Sequence, residues 1–285
     1  MRPAPAGGAP WRFAWCGGPV WDASGGTRIV AIVNVTPDSF TDGGRFLAPE
    51  AAADHAVRLV AEGADALDVG AESTRPGHEP VDPEAEWCRL APALARVRAA
   101  VDVPVSVDTR HAAVARRALD AGAQAINDVS GLGDPEMAAL VGRTGSAVIV
   151  GHWRPRPPDR TWHAARVAAD LAAARERLLR AGVAGERIAL DPGLGFGKGA
   201  EDNWRIVAGL DTLVGLGSAV MVGASRKRFA LAGAEGAGPA AADEIAGHLS
   251  LWCALRGTAM VRVHAPAPSR RALAIARALA AAEGG

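Results

Sequence analysis

The chain has 285 residues, enough for one large domain or two small ones, and 49% of them are hydrophobic, enough for a sizeable core. Lys plus Arg and Asp plus Glu stand at 31 each, so no basic field argues for a nucleic-acid partner and no acidic excess for a solvating tail. No apolar run approaches the roughly 18 residues that crossing a bilayer requires, and no membrane span is expected. Three cysteines (Cys16, Cys88, Cys253) without a C-x-x-C spacing suit neither a disulfide framework nor a zinc site, and a reducing, cytoplasmic setting is expected. In chain order, Met1–Gly8 has no apolar h-region and reads as a tail rather than a signal peptide. Trp11–Thr27, punctuated by Gly17-Gly18 and Gly25-Gly26, reads as a hairpin-like lead-in, so residues 1–27 form the tail and lead-in.

From Arg28 to the end, short apolar runs alternate with longer Ala/Arg/Leu-rich stretches of helical period. The predicted strands are Arg28–Val35, Ala66–Val69, Pro104–Asp108, Ala125–Asp128, Ala147–Gly151, Arg187–Leu190, Ala219–Gly223 and Ala259–Val263. Runs so apolar suit parallel strands covered on both faces. Asp82-Pro83-Glu84 and Asp134-Pro135-Glu136 mark helix starts, and Gly63, Gly122, Gly182 and Gly257 mark helix ends. Repeated βα units over residues 28–285 predict an α/β, single-domain (β/α)8 TIM barrel. A doubly wound open sheet shares the local pattern, but no G-x-G-x-x-G follows the first strand.

Each predicted strand finishes in or just before polar residues, on the side where barrel enzymes build their sites. These are Asn34, Asp68, Asp108, Asn127 with Asp128, His152, Asp191, Ser225-Arg226-Lys227, and Arg262 with His264. Asp68, Asp128 and Thr109 could equally cap the turns or helices that follow, and His152 taken alone reads as structural. His55, His78, His111, His163 and His248 sit in helices or loops without metal spacing, and Asp42, Glu72 and His264 form no recognisable triad.

Asp108 and Asp191 with Asn127 between them offer acceptors and a donor to a flat heterocycle rich in N–H groups, with Phe196 and Lys227 over its face. Where the last strand neighbours the first, Asn34, Arg262 and His264 would converge on an anion, for which Arg supplies a fork and His a further donor.

In the order in which they stand, the segments Asn34–Gly44 (NVTPDSFTDGG), Asp68–Gly77 (DVGAESTRPG), Ser106–Thr109, Ile126–Val129, Leu190–Lys198, Gly223–Lys227 and Arg262–His264 resemble the signatures of the dihydropteroate synthases. The resemblance runs over nearly the whole chain from Ile29. It implies condensation of a 6-hydroxymethyl-7,8-dihydropterin diphosphate with p-aminobenzoate in folate biosynthesis, by dissociative loss of diphosphate and attack of the amine; the family is the sulfonamide target. It implies pterin binding by Asp108, Asn127, Asp191, Phe196 and Lys227. Diphosphate would lie on Asn34, Arg75, Arg262 and His264, with Mg2+ on Asn34. p-Aminobenzoate would lie among Thr36, Pro37, Phe40, Thr74, Arg75, Phe196 and Arg228. Asn34, Asp108, Lys227, Arg262 and His264 would carry the catalysis, in a homodimer.

Three positions depart from the family's pattern. Arg228 stands where Ser is usual, as in some actinobacterial-type members. Gly151 replaces the usual Met before His152-Trp153-Arg154, which would widen the pterin pocket. Ala265 replaces the Asp after Arg-Val-His, which would weaken the diphosphate end. Two rival readings follow: a non-catalytic or altered pterin-binding paralogue, and a methyltetrahydrofolate-binding methyltransferase module. The latter needs neither an Arg-x-His clamp nor the two loops.

Overall fold

A computed structural model describes residues 11–35, 49–72, 81–154, 161–231, 236 and 238–283. The lead-in is an antiparallel hairpin of β1 (Arg12–Ala14) and β2 (Val20–Asp22). Eight parallel strands follow: β3 (Arg28–Asn34), β4 (Ala66–Gly70), β5 (Val105–Asp108), β6 (Ala125–Asp128), β7 (Ala147–Gly151), β8 (Ile188–Asp191), β9 (Ala219–Val222) and β10 (Met260–Val263). β10 pairs with both β9 and β3, which closes the sheet and decides for the barrel over the open sheet. The helices outside it are α1 (Pro49–Ala61), α2 (Pro83–Ala100), α3 (Ala112–Asp120), α4 (Met137–Thr144), α5 (Ala164–Arg180), α6 (Ala200–Ala208), α7 (Leu210–Val214), α8 (Pro239–Leu255) and α9 (Pro266–Glu283).

The helix punctuation acts as the sequence suggests. Asp82 accepts from the amides of Glu84 (3.0 Å) and Ala85 (3.1 Å) at the start of α2. Asp134 binds the Glu136 amide at 2.9 Å and also reaches the first amide of α3, that of Ala112, at 2.8 Å. After α3 and α5 the chain turns at Gly122 (φ 94°) and Gly182 (φ 90°), which glycine alone adopts cheaply.

Strand alternation sorts the core into two layers. Ile29, Leu67, Val105, Val107, Ile126, Val148, Val150, Leu190, Val220 and Val261 point outward to the helices. Inward-pointing residues at the lower end are mostly small: Ala66, Ala125, Ala147, Ala189 and Ala219, with Val30, Ile149, Met221 and Met260. Small residues leave room at the N-terminal mouth, and the hairpin fills it with Trp11, Phe13, Trp15 and Trp21. Trp15 stands edge-on to Phe13 (5.3 Å between centroids) and to Trp21 (5.2 Å) and is only 2% exposed. Trp15→Ala is therefore expected to cost about 3–5 kcal/mol of folding stability, as large-to-small changes in cores do. Denaturant melts check the loss, and substrate KM should stay unchanged because the plug lies at the opposite mouth from the strand-end residues.

Candidate active site

Two residues further along the strands the same inward face turns polar. Ala66 is succeeded by Asp68, Ser106 by Asp108, Ala125 by Asn127, Ala189 by Asp191, and Met260 by Arg262. Register brings them level: Asp68 lies opposite Ser106, and Asp108 opposite Gly70 and Asn127. Gly70 permits this crowding, since a Cβ there would sit 3.2 Å from that of Asp108.

Asp68, fully buried, is the hub. It accepts from Ser106 Oγ (2.6 Å), Asn127 Nδ2 (2.9 Å) and Arg262 Nε (2.6 Å). The other arm of Arg262 donates to Asp108 at 2.8 Å. The amide nitrogen of Asn127 is thereby committed, and its Oδ1 is left buried with no hydrogen-bond partner among the described residues. Burial pushes the Asp108 carboxyl up to about 8 against the pull of Arg262, with the Asp68 charge adding to the rise. Burial likewise raises Asp191, opposed chiefly by Lys227. Burial lowers Lys227 to about 8, with Asp191 opposing. The pocket floor thus holds acceptors in excess of donors.

Lys227 donates to the Leu194 carbonyl and lies 4.7 Å from the centre of the Phe196 ring, which Trp153 flanks at 5.5 Å. The Gly193–Gly197 turn is held by Lys198, whose ammonium donates to the carbonyls of His152 (2.8 Å), Gly193 (2.9 Å) and Phe196 (3.0 Å). His152 itself faces outward, meeting Asp170 at 3.0 Å and standing edge-on to Trp162. Burial lowers it to about 4, so it is neutral and structural at neutral pH. Asp128 caps the turn after β6 through the amides of Ser130 and Leu132, both at 2.8 Å.

At the other side of the mouth, Arg226 adopts φ 56° and forks onto Asp243 at 2.8 and 2.7 Å. That left-handed residue turns Ser225 and Lys227 to the barrel while it faces α8 itself. Buried Ser225 shares a hydrogen bond with His264 Nδ1 (3.0 Å) and accepts from the His264 amide (3.3 Å). Asn34 ends β3, and among the described residues its side chain has no hydrogen-bond partner.

The convergence expected at the anion end takes a different form. Arg262 is level with Val30, well short of Asn34, and its long side chain reaches across to β4 and β5. Its fork engages two carboxylates. Gly151 does not widen the pocket: a Cβ there would lie 2.8 Å from Val129 Cα and 2.9 Å from its carbonyl oxygen, so backbone fills the space. Ala265 directly precedes α9, where an Asp would cap the first amides; Pro266 removes one amide in need of a cap. Arg228 is exposed at the start of a 3-10 turn. Thr36, Pro37, Phe40, Thr74 and Arg75 lie outside the described residues. Asp68, Trp153, Lys198 and Ser225 join the site without having been assigned to it; the inward parity of Asp68, two residues after Ala66, was the available signal.

A family model described as pterin binding enzyme matches residues 30–264. The dihydropteroate synthase of Mycobacterium leprae is 43% identical over 250 residues, covering 83% of this chain and 88% of that protein. The chain belongs to the dihydropteroate synthase family. It is accordingly an enzyme of the transferase class. Two solved structures of the Xanthomonas albilineans family member superimpose closely. One, with 4-aminobenzoic acid, has a TM-score of 0.88 at 38% identity, covering 95% of this chain and 98% of that one. The other, in complex with 7,8-dihydropteroate, has a TM-score of 0.85 at 36% identity, covering 95% and 99%.

Proposed function

We propose that this enzyme joins 6-hydroxymethyl-7,8-dihydropterin diphosphate to p-aminobenzoate, giving 7,8-dihydropteroate and diphosphate. One observation carries the reading: the acceptors of Asp108, Asn127 and half-buried Asp191 stand at the C-terminal ends of their barrel strands, and buried Asn127 Oδ1 has no hydrogen-bond partner among the described residues. A pterin edge supplies the missing donors, from an exocyclic amine and ring N–H groups, while Lys227 donates to its carbonyl side. The aryl ring of the amine packs by Phe196 and Trp153. The 4-aminobenzoic acid and dihydropteroate bound by the Xanthomonas albilineans relative support both subsites.

In the reaction the bond between the pterin methylene carbon and the diphosphate oxygen breaks, its electron pair leaving with diphosphate. The amine lone pair then forms the new C–N bond, and the amine proton passes to solvent. Asp108 and Asp191, held beside the ring, stabilise the cationic pterin, and the free N–H groups of Arg262 with His264 receive the departing anion. No side-chain nucleophile is required. Asn34 fits an Mg2+ ion, since its amide, without a hydrogen-bond partner among the described residues, offers a hard oxygen and such ions take their other ligands from phosphate and water. When bound, that ion neutralises charge developing on the leaving group.

We further infer a homodimer through α8 and α9, supported by exposed Leu255, Ile275 and Leu279, and a cytoplasmic setting, supported by three unpaired cysteines. No helix among the described residues is long and apolar enough to cross a membrane. Purified protein given both substrates and Mg2+ is expected to release diphosphate and dihydropteroate in equal amounts. Tight binding of the pterin diphosphate without turnover would instead support a non-catalytic paralogue.

A further inference from the structure

Outside the pterin floor, three side chains remote in sequence meet on the flank of the barrel mouth. Glu72 stands two residues beyond β4, Glu86 in the first turn of α2, and His111 at the residue before α3. His111 Nε2 lies 4.0 Å from a carboxylate oxygen of Glu72 and 4.0 Å from one of Glu86, and one ligand atom from each residue lies within 4.8 Å of the others.

Glu86 occupies the buried stripe of α2 with Leu90, Ala93, Leu94 and Val97, and is 0% exposed. Among the described residues His111 Nε2 has no hydrogen-bond partner, and the Glu86 oxygens make no hydrogen bond of ordinary geometry, although the Thr109 hydroxyl lies near enough to lower the Glu86 pKa. A buried carboxylate facing an imidazole nitrogen with nothing between them is costly unless something bonds to both. Burial pushes Glu86 up to about 7, against the Thr109 hydroxyl and with the Glu72 charge adding. A proton would neutralise Glu86 but leave the imidazole nitrogen unused; a metal cation serves all three groups.

We propose that Glu72, Glu86 and His111 bind one divalent transition-metal ion of the Zn2+ type, at a site separate from the diphosphate. With two sides of 4.0 Å and a third within 4.8 Å, the point equidistant from the three ligand atoms lies at most about 2.5 Å from each, within a small side-chain adjustment of the about 2.0–2.2 Å of imidazole and carboxylate bonds to Zn2+. An imidazole ligand selects this class of ion over Mg2+ and Ca2+, which take oxygen ligands. The outer shell is built. Arg110 donates to both oxygens of Glu72, at 2.8 and 3.2 Å, and the Val81 amide to one of them at 3.2 Å, fixing that carboxylate. The His111 side chain is 24% exposed while its Nε2 is buried, which places the three ligand atoms just beneath the surface. Bound there, the ion ties the end of β4 to α2 and to the start of α3, three residues after Asp108.

The test uses the full chain, stripped with chelator and titrated with Zn2+ by calorimetry in the presence of excess Mg2+. One Zn2+ per chain is expected, together with a raised Tm. Glu86→Gln and His111→Ala are each expected to weaken binding at least about tenfold. The visible spectrum of the Co2+-loaded protein is expected to lose its d–d bands in Glu86→Gln, an isosteric change that keeps the fold even should His111→Ala not. No stoichiometric Zn2+ binding, or binding that survives both substitutions, would overturn the proposal; a more stable Glu86→Gln variant with no metal effect would identify the neutraliser as a proton.

Discussion

Asp108→Asn is expected to lower kcat/KM at least about tenfold, a loss of roughly 1.4 kcal/mol of transition-state stabilisation, while making the ligand-free protein more tolerant of alkaline pH. The two effects share one cause. A single guanidinium, that of Arg262, lies between the carboxyl groups of Asp68 and Asp108, so it balances one of them and cannot balance both were both ionised. The folded state holds the Asp108 proton up to about pH 8, far above the ordinary carboxyl value of 3.8. A carboxyl raised on folding favours the fold fully below its unfolded pKa, and that favour is lost as pH climbs through the folded one. Asn has no proton to lose. The Tm of the variant minus that of the wild type should therefore grow from pH 5 to pH 8.5, as scanning calorimetry across that range would read. Activity falls nonetheless, because the donors and positive charge of the pterin favour an ionised Asp108, and Asn cannot ionise to answer them. Wild-type turnover in this variant would remove Asp108 from the pterin floor.

Arg262→Met is expected to be costlier to the fold. It leaves Asp68 and Asp108 facing one another in the barrel without a cation, and breaking such buried pairs typically costs about 3–5 kcal/mol. Turnover should fall by well over tenfold as well, since the leaving group loses its guanidinium. A second substitution separates the two losses. Asp68→Asn in the same chain removes the unbalanced charge, so the double variant should regain much of the stability and none of the rate. Urea melts and initial rates on the three variants supply the cycle. Recovery of activity along with stability would make Arg262 a packing residue only.

How much of this was legible beforehand differs from residue to residue. The barrel strands fall within one residue of where apolar runs bounded by Gly and Asp place them, because a parallel strand covered on both faces must be apolar throughout. The cap at Asp82 was equally plain, being a matter between close neighbours. Asp68 and Asp128 looked alike in sequence, each a carboxylate at a strand end. Strand parity sends the first into the barrel and the second onto its own turn, and the choice of parity needs the register of the whole sheet. His111 read as bland because Glu86 and Glu72 come to it from other βα units. Gly151 read as a missing side chain, whereas the backbone of Val129 occupies the space.

By itself the sequence determined the alternation of strands and helices, the polar finish of each strand, and the motifs by which the chain belongs to its family. All of these depend on residues close together along the chain. Closure of the barrel, and with it the pairing of Arg262 to carboxylates 194 and 154 residues away, was decided only by the tertiary structure. The reason is geometric: where a side chain of that length ends depends on the stagger of strands joined around the ring, which no local stretch of sequence encodes.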